Sequence, residues 1–301
     1  MTTLAEHDIY RLESRQDYLD NRDAHSDALD WRQALWEARR SIIRFFRASN
    51  FLFDVAGALQ TSGHHSFPLR HLLAPPVSQD QFKLLCPDWS KSSEKSGKGL
   101  ASSKSLAVAA TFAERRSRHL TAWVGRNRGP FLAELSGAIG AVAPLMANQR
   151  LATARRNRFA ALQEAAVLDL LASRNWDRLQ SGPVLTGGQL PARHFMHKTR
   201  FASGPTQTQE VDVACGLGAT MILALECKVT NDESNSVKRI NDVLKKAHAW
   251  KEHWGAFVKP AALLQGVIKP SEISRLVDGG VEVFWTHRLD LLGEWIDANE
   301  N

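Results

Sequence analysis

Two alternating runs near the middle of the chain constrain its fold more than anything else in it. In Thr208–Ala214, Val211 and Val213 fall on one side, with Glu210, Asp212 and Ala214 on the other. In Met221–Val229, Leu223, Leu225, Cys227 and Val229 share a side, and Glu226 and Lys228 take the opposite one. A period of two with one apolar face is the pattern of a half-buried strand. Gly216-Leu217-Gly218 between the runs reads as a hairpin turn. Asp212 and Glu226 share a sequence midpoint at 219, and so do Glu210 and Lys228. An antiparallel pair about that midpoint gathers the charges on one face and leaves the other for the core.

An Asp, a Glu and a Lys at one strand junction suit metal-assisted phosphodiester hydrolysis. Carboxylates hold Mg²⁺, and a lysine positions and activates the attacking water. The candidates are Asp212 and Glu226 as metal ligands, with the backbone carbonyl of Cys227 as a further ligand. Lys228 orients or deprotonates the water. The Cys227 side chain points to the core and is not catalytic. The competing reading is a surface hairpin in which Lys228 pairs with Glu210 or Glu226 without chemistry. The apolar run Met221–Val229 favours a central strand instead.

The flanking segments read as helices. One spans Thr153–Ser173 and sets Glu164 among Ala160, Ala161, Val167 and Leu168, an apolar face where a carboxylate needs a reason. Pairing with Arg156 or Arg158 is its alternative explanation. The other spans Asn235–Trp254, with Asp232, Ser234 and Asn235 as candidate N-caps. Its apolar stripe is Val237, Ile240, Val243, Leu244, Ala247 and Trp250. A strand over Ala262–Ile268, a helix over Pro270–Val277, a strand over Val281–Thr286 and a helix over Leu289–Ala298 complete an α/β pattern with a mixed sheet.

This constellation resembles the PD-(D/E)xK nuclease superfamily, through Asp212 and Glu226-Cys227-Lys228. Val211 stands where the pattern's proline would be. The resemblance implies a restriction-endonuclease-like core of mixed sheet flanked by helices, with Glu164 as a further catalytic acid and 5′-phosphate and 3′-hydroxyl products. The block Gln209–Trp254 is more narrowly similar to the XamI-type restriction endonucleases, above all in Glu226–Glu233 leading into Asn235–Arg239. That likeness covers the C-terminal half well and the N-terminal half loosely. It implies a type II enzyme that cuts both strands of duplex DNA at a short defined sequence with Mg²⁺. A companion DNA methyltransferase would protect the host at the same site.

The charge balance agrees with a polyanionic partner: net charge is +6 and the pI near 9.4. Lys91–Arg158 holds thirteen Lys or Arg against three Glu. Within it, Ser90–Ser105 is rich in Ser, Gly and Lys and reads as a mobile loop. Arg126-Asn127-Arg128-Gly129 mixes Arg and Asn in a turn and is the first candidate for base contact. Arg155, Arg156, Asn235 and Lys238 are further candidates for DNA contact. A solvated basic surface is the competing reading for each of them.

The chain divides into a mainly helical N-terminal region, 1–149, for DNA contact or dimerisation, and a catalytic core, 150–301. Helix is expected over Ala28–Ala48, with Phe51–Leu59 continuing the apolar trend. Cutting both strands of a palindrome suggests a homodimer. Cys86, Cys215 and Cys227 form no CxxC pair, which argues against a zinc site or disulfide framework. His64, His65, His194, His197, His248 and His253 form no HNH or HExxH pattern, and no phosphate-binding loop of the GxxxxGK[ST] type occurs. Thr186–Gln189 reads as a turn. No apolar run spans a membrane and no signal peptide is recognisable, so a cytoplasmic protein is expected. A structure-specific repair nuclease and a non-catalytic basic DNA-binding protein are the two other functions such a chain could serve.

Overall fold

The computed structural model describes residues 2–20, 24–204, 207–218 and 220–300. The chain forms two compact units, 24–154 and the combination of 1–23 with 155–301. Helix α1 (Leu4–Asp20), which the sequence groups with the helical region, packs in the sheet unit. There Ser14 Oγ accepts the Gly266 N–H at 3.0 Å, and Trp285 Nε1 donates to His7 Nδ1 at 3.2 Å.

The helical unit holds α2 (Ala24–Ala48), α3 (Val55–Thr61), α4 (Ser66–His71), α5 (Gln79–Leu85), α6 (Lys91–Ser96), α7 (Ser102–Arg115) and α8 (Ala122–Gly125). It also takes the first part of α9 (Leu132–Ser173). Asn50, Phe51 and Leu52 all have positive φ, so Phe51–Leu59 does not prolong α2 but turns sharply into α3.

The segment Ser90–Ser105 is not a loop. It forms α6 and opens α7, and buried Glu94 pairs with buried Arg70 at 3.1 Å. Its glycines serve contact, not mobility. The Gly63 N–H donates to the Gly97 carbonyl at 3.1 Å, and the Leu100 N–H to the Leu59 carbonyl at 2.9 Å. A Cβ on Gly99 would strike the Gln60 carbonyl, and one on Gly63 the Ser93 carbonyl.

The sheet unit is built on β1 (Asp177–Arg178), β2 (Pro183–Val184), β3 (His194–Ala202), β4 (Thr208–Gly218), β5 (Met221–Thr230), β6 (Val258–Gly266) and β7 (Glu282–Trp285). The strand order is β1-β3-β4-β5-β6-β7, with β2 also on β3. Strands β3, β4 and β5 are antiparallel, and β5, β6 and β7 parallel, so the sheet is mixed. Helices α10 (Glu233–Trp254), α11 (Pro270–Asp278) and α12 (Leu289–Asn299) follow the sequence expectation closely. Asp232 caps α10 by accepting the Asn235 N–H at 2.7 Å.

Two expectations about the hairpin need correction. Gly216-Leu217-Gly218 lies within β4, with a register shift between Gly216 and Gly218, and is not the turn. The strands are also not half-buried. Leu223, Leu225 and Cys227 pack toward Val167 and Leu171 of α9 and Leu292 of α12. Ile222 and Ala224, on the other face, pack toward Trp250 of α10. A strand covered on both faces reads as a nearly continuous apolar run, as Met221–Val229 does.

Alternation also breaks inside β3 and β4. Val213 joins the α9 face, but Val211 joins the α10 face with Phe201. On β3, Phe195 belongs to the α9 face and Phe201 to the α10 face. Both strands therefore roll over, β4 at Asp212 and β3 between His197 and Thr199. This roll-over is what places the charged residues.

Candidate active site

The ladder of β4 with β5 runs from Gly218↔Met221 to Val213↔Leu225. Asp212 is the next residue, and its side chain takes over where the ladder stops. Its Oδ2 accepts the Cys227 N–H at 2.8 Å. Lys228 Nζ donates to the same oxygen at 3.4 Å and to Glu226 Oε2 at 2.5 Å. Lys246, one turn from the buried α10 stripe, donates to both Glu226 oxygens at 2.9 and 2.8 Å. Glu226 thus sits between two ammonium groups.

The cluster is deeply placed but reaches solvent at one point. The Glu226 side chain is 0 % exposed and that of Asp212 25 %. Burial pushes the Glu226 carboxyl above the ordinary value, against the pull of Lys228 and Lys246. Burial works against the charge of Lys228 too, but Glu226 and Asp212 outweigh it and hold its pKa above the ordinary lysine value. Lys228 is therefore a cation at neutral pH.

Glu164 comes from α9 and is buried, as its apolar neighbours suggest. It pairs with neither Arg156 nor Arg158. Its Oε2 meets His197 Nε2 at 2.7 Å and Lys198 Nζ at 3.0 Å. Arg178 lies 3.4 Å from His197 Nδ1. A guanidinium only donates, so Nδ1 accepts and the Nε2–H points to Glu164.

The structure brings Asp212, Glu226 and Lys228 together and sets Glu164 beside them, in a pairing with His197 and Lys198. Glu210 stays apart: it is exposed and pairs across the sheet with Arg200. Lys246 and Lys198 were not singled out from sequence. Lys246 flanks the stripe of Val243, Ala247 and Trp250, a position from which a long side chain can reach inward. Lys198 carries no comparable signal.

The candidate DNA contacts lie in varied settings. Arg126, Asn127 and Arg128 do lie in a turn, with Asn127 at φ 47°. Arg128 is committed to the start of α9. It donates to both Glu134 oxygens at 2.8 and 2.7 Å and stacks over Phe131. Hydrogen bonding from Arg128 holds the Glu134 carboxyl down at about 2. Arg126 is exposed, 3.7 Å from Glu134. Arg155 and exposed Arg156 lie on α9, and exposed Lys238 on α10. The Asn235 side chain bonds back to Asn231 and Asp232, as part of the α10 cap. Thr186–Gln189 is a capped turn.

Among the described residues, no three His, Cys, Asp or Glu side chains converge as a metal cage, and no helix is long and apolar enough to cross a membrane. Fold and site together define an α/β protein whose charged centre lies where two strands of a mixed sheet part. The chain belongs to the XamI restriction endonuclease family, whose family model matches residues 50–285. One relative is the type II restriction enzyme XamI of Xanthomonas campestris pv. amaranthicola, 30% identical over 192 residues. The match covers 62% of this chain and 66% of that enzyme, so the chain spans just under two thirds of its relative's length. Protein VC1899 from Vibrio cholerae matches over 90% of this chain and 58% of its own, at 12% identity and a TM-score of 0.33, too distant to bear on the fold.

Proposed function

We propose that this chain is a type II restriction endonuclease of the PD-(D/E)xK kind, which hydrolyses phosphodiester bonds of double-stranded DNA at a defined sequence with Mg²⁺. The observation that carries this reading is the cluster at the parting of β4 and β5, in a chain of this family. Asp212, Glu226 and Lys228 meet there with one acid open to solvent.

The residues fit a hard divalent cation. Magnesium is commonly held by one or two carboxylates, with water and substrate phosphate completing its shell. Asp212 and Glu226 supply the carboxylates. The Cys227 carbonyl supplies a third oxygen. In a strand the N–H and C=O of one residue point to the same edge, and the Cys227 N–H points at Asp212. Two ammonium groups already converge on Glu226, which marks it as a place where positive charge is compensated. Mg²⁺ bound there would polarise the phosphate and lower the pKa of a bound water.

The other roles belong to the chain's own groups. Lys228, bridging both acids, orients or deprotonates the attacking water and stabilises charge on the phosphate. Lys246 fixes both oxygens of Glu226. Glu164 anchors His197 and Lys198 at the edge of the site. A homodimer that matches a palindromic target, and a methyltransferase protecting that target, complete the proposed system.

The test is incubation of purified protein with unmethylated phage DNA and Mg²⁺, beside EDTA and Lys228→Ala controls. A discrete fragment ladder lost in both controls is expected. DNA left intact by the wild-type protein, or a ladder that survives in Lys228→Ala, would sink the reading. Cleavage confined to branched DNA would move the function to structure-specific repair.

A further inference from the structure

We infer that Lys198 is a substrate-contacting residue of this site, holding a DNA phosphate beside Asp212. The inference rests on the nuclease reading above and adds a residue to it.

Three observations lead to Lys198. First, β3 pairs with β4 through His197↔Val213 and Thr199↔Val211, so by that register Lys198 lies across from Asp212. Both strands roll over at this pair of residues. Second, Lys198 has φ 52°, a left-handed conformation in the middle of a strand. Glycine or asparagine takes that conformation with least strain, and a lysine there is uncommon. Strain of this kind persists where the surroundings enforce it, and it concentrates at functional sites. Third, the side chain is 62% exposed, although the carboxylate it meets, Glu164, is buried. The ammonium thus stands at the surface on a buried tether, beside the acid that opens to solvent.

A backbone phosphate brought to Asp212 therefore meets Lys198 from the β3 side and Lys228 from the β5 side. A point-charge ammonium suits this task, since it contacts a phosphate oxygen without demanding a fixed orientation. Glu164 acts through Lys198 and His197 as a positioning residue. A purely structural lysine would serve the fold alone, so a folded variant without its charge would cleave at the wild-type rate, and this separates the two roles experimentally.

The variants are Lys198→Asn and Lys198→Gly, both compatible with the left-handed conformation, and Lys198→Arg, which keeps the charge. Single-turnover cleavage of phage DNA is measured with thermal unfolding. Metal-free binding to a DNA duplex is followed against salt. Expected are Asn and Gly variants that still fold cooperatively, since the backbone strain is relieved and His197 keeps its contact with Glu164, with cleavage slower by roughly 100-fold. Partial recovery is expected for Arg. The slope of log affinity against log salt should fall in magnitude by about one phosphate contact. Wild-type cleavage by a folded Lys198→Asn or Lys198→Gly protein, with an unchanged salt slope, overturns the assignment. Unfolding of Asn and Gly together, while Arg folds and cuts at the wild-type rate, also overturns it by making the residue structural. A wild-type protein that leaves DNA intact refutes the nuclease reading itself, and the salt slope then reports separately on phosphate contact.

Discussion

Arg70 in the helical unit and Lys228 in the sheet unit are both buried cations beside a buried glutamate, in different surroundings. Arg70 spends its donors on Glu94, the Val77 carbonyl and Gln149, and Glu94 also accepts from Gln79. One acid meets one base, and the protein supplies the remaining partners. Around Lys228 the arrangement is looser. It is shared between Glu226 and Asp212, Glu226 is shared with Lys246, and Asp212 faces solvent. The first cluster holds α4 to α6. The second shares its charges among four groups, one of which, Asp212, opens to solvent. Burial alone does not separate the two clusters; how completely their partners are supplied does.

Removing one charged group from each cluster in turn tests this difference most directly. Asp212→Asn keeps an acceptor for the Cys227 N–H but loses the charge. Cleavage should fall roughly 1000-fold, with unfolding free energy changed by no more than about 1 kcal/mol. A variant that cuts normally would remove Asp212 from the site. Arg70→Met should show the opposite signature, a loss of about 3–5 kcal/mol in urea unfolding, because it strands Glu94. A loss under about 1 kcal/mol would mean that the pair does not secure the helical unit.

A smaller effect concerns the pH profile. Burial raises the Glu226 carboxyl and Lys246 pulls it down. Lys246→Met should therefore move the acid limb of cleavage to higher pH, read from rates across pH 5 to 8. A downward move would contradict the arrangement. The smallest expected effect separates the units by stability. Burial lowers the pKa of His65 and His71 in the helical unit below the ordinary 6.5, and that of His7 in the sheet unit. Below 6.5 the unfolded chain takes up protons that the folded one refuses, so stability present above that value is lost on acidification. Hydrogen exchange at pH 7 and pH 5 should show the helical unit loosening more. Equal loosening would leave the two histidines without that effect.

Much of the sheet unit was legible because its signals are local. Asp232 capping α10, the stripe from Ile240 to Trp250 and the strand-helix order after Val258 each follow from a few adjacent residues. The 219 midpoint matches the β4–β5 register from Val213↔Leu225 to Gly216↔Ile222, up to the shift before Gly218. Other features depend on what the chain meets elsewhere. Burial of β5 on both faces needs α9 and α10. The full length of α9, from Leu132, passes through Pro144 and an apolar stretch with no cap signal at Thr153. The roll-over at Lys198 and Asp212 leaves no mark in the pattern of hydrophobic residues. Of the candidate site, Asp212, Glu226, Lys228 and Glu164 stood out as polar groups in apolar runs. Lys246 and Lys198 lie in polar stretches and emerge only in three dimensions.

The seam that stitches Gly97–Leu100 to Leu59–Gly63 also has a practical side. A stretch as rich in serine, glycine and lysine as Ser90–Ser105 invites use as a neutral place for an affinity tag, a fluorophore or a fused partner. Inserted there, such cargo would wedge open a zipper of main chains and pull Glu94 away from its guanidinium. The turn at Gly188, exposed and with nothing within 4 Å of an added Cβ, is the better berth.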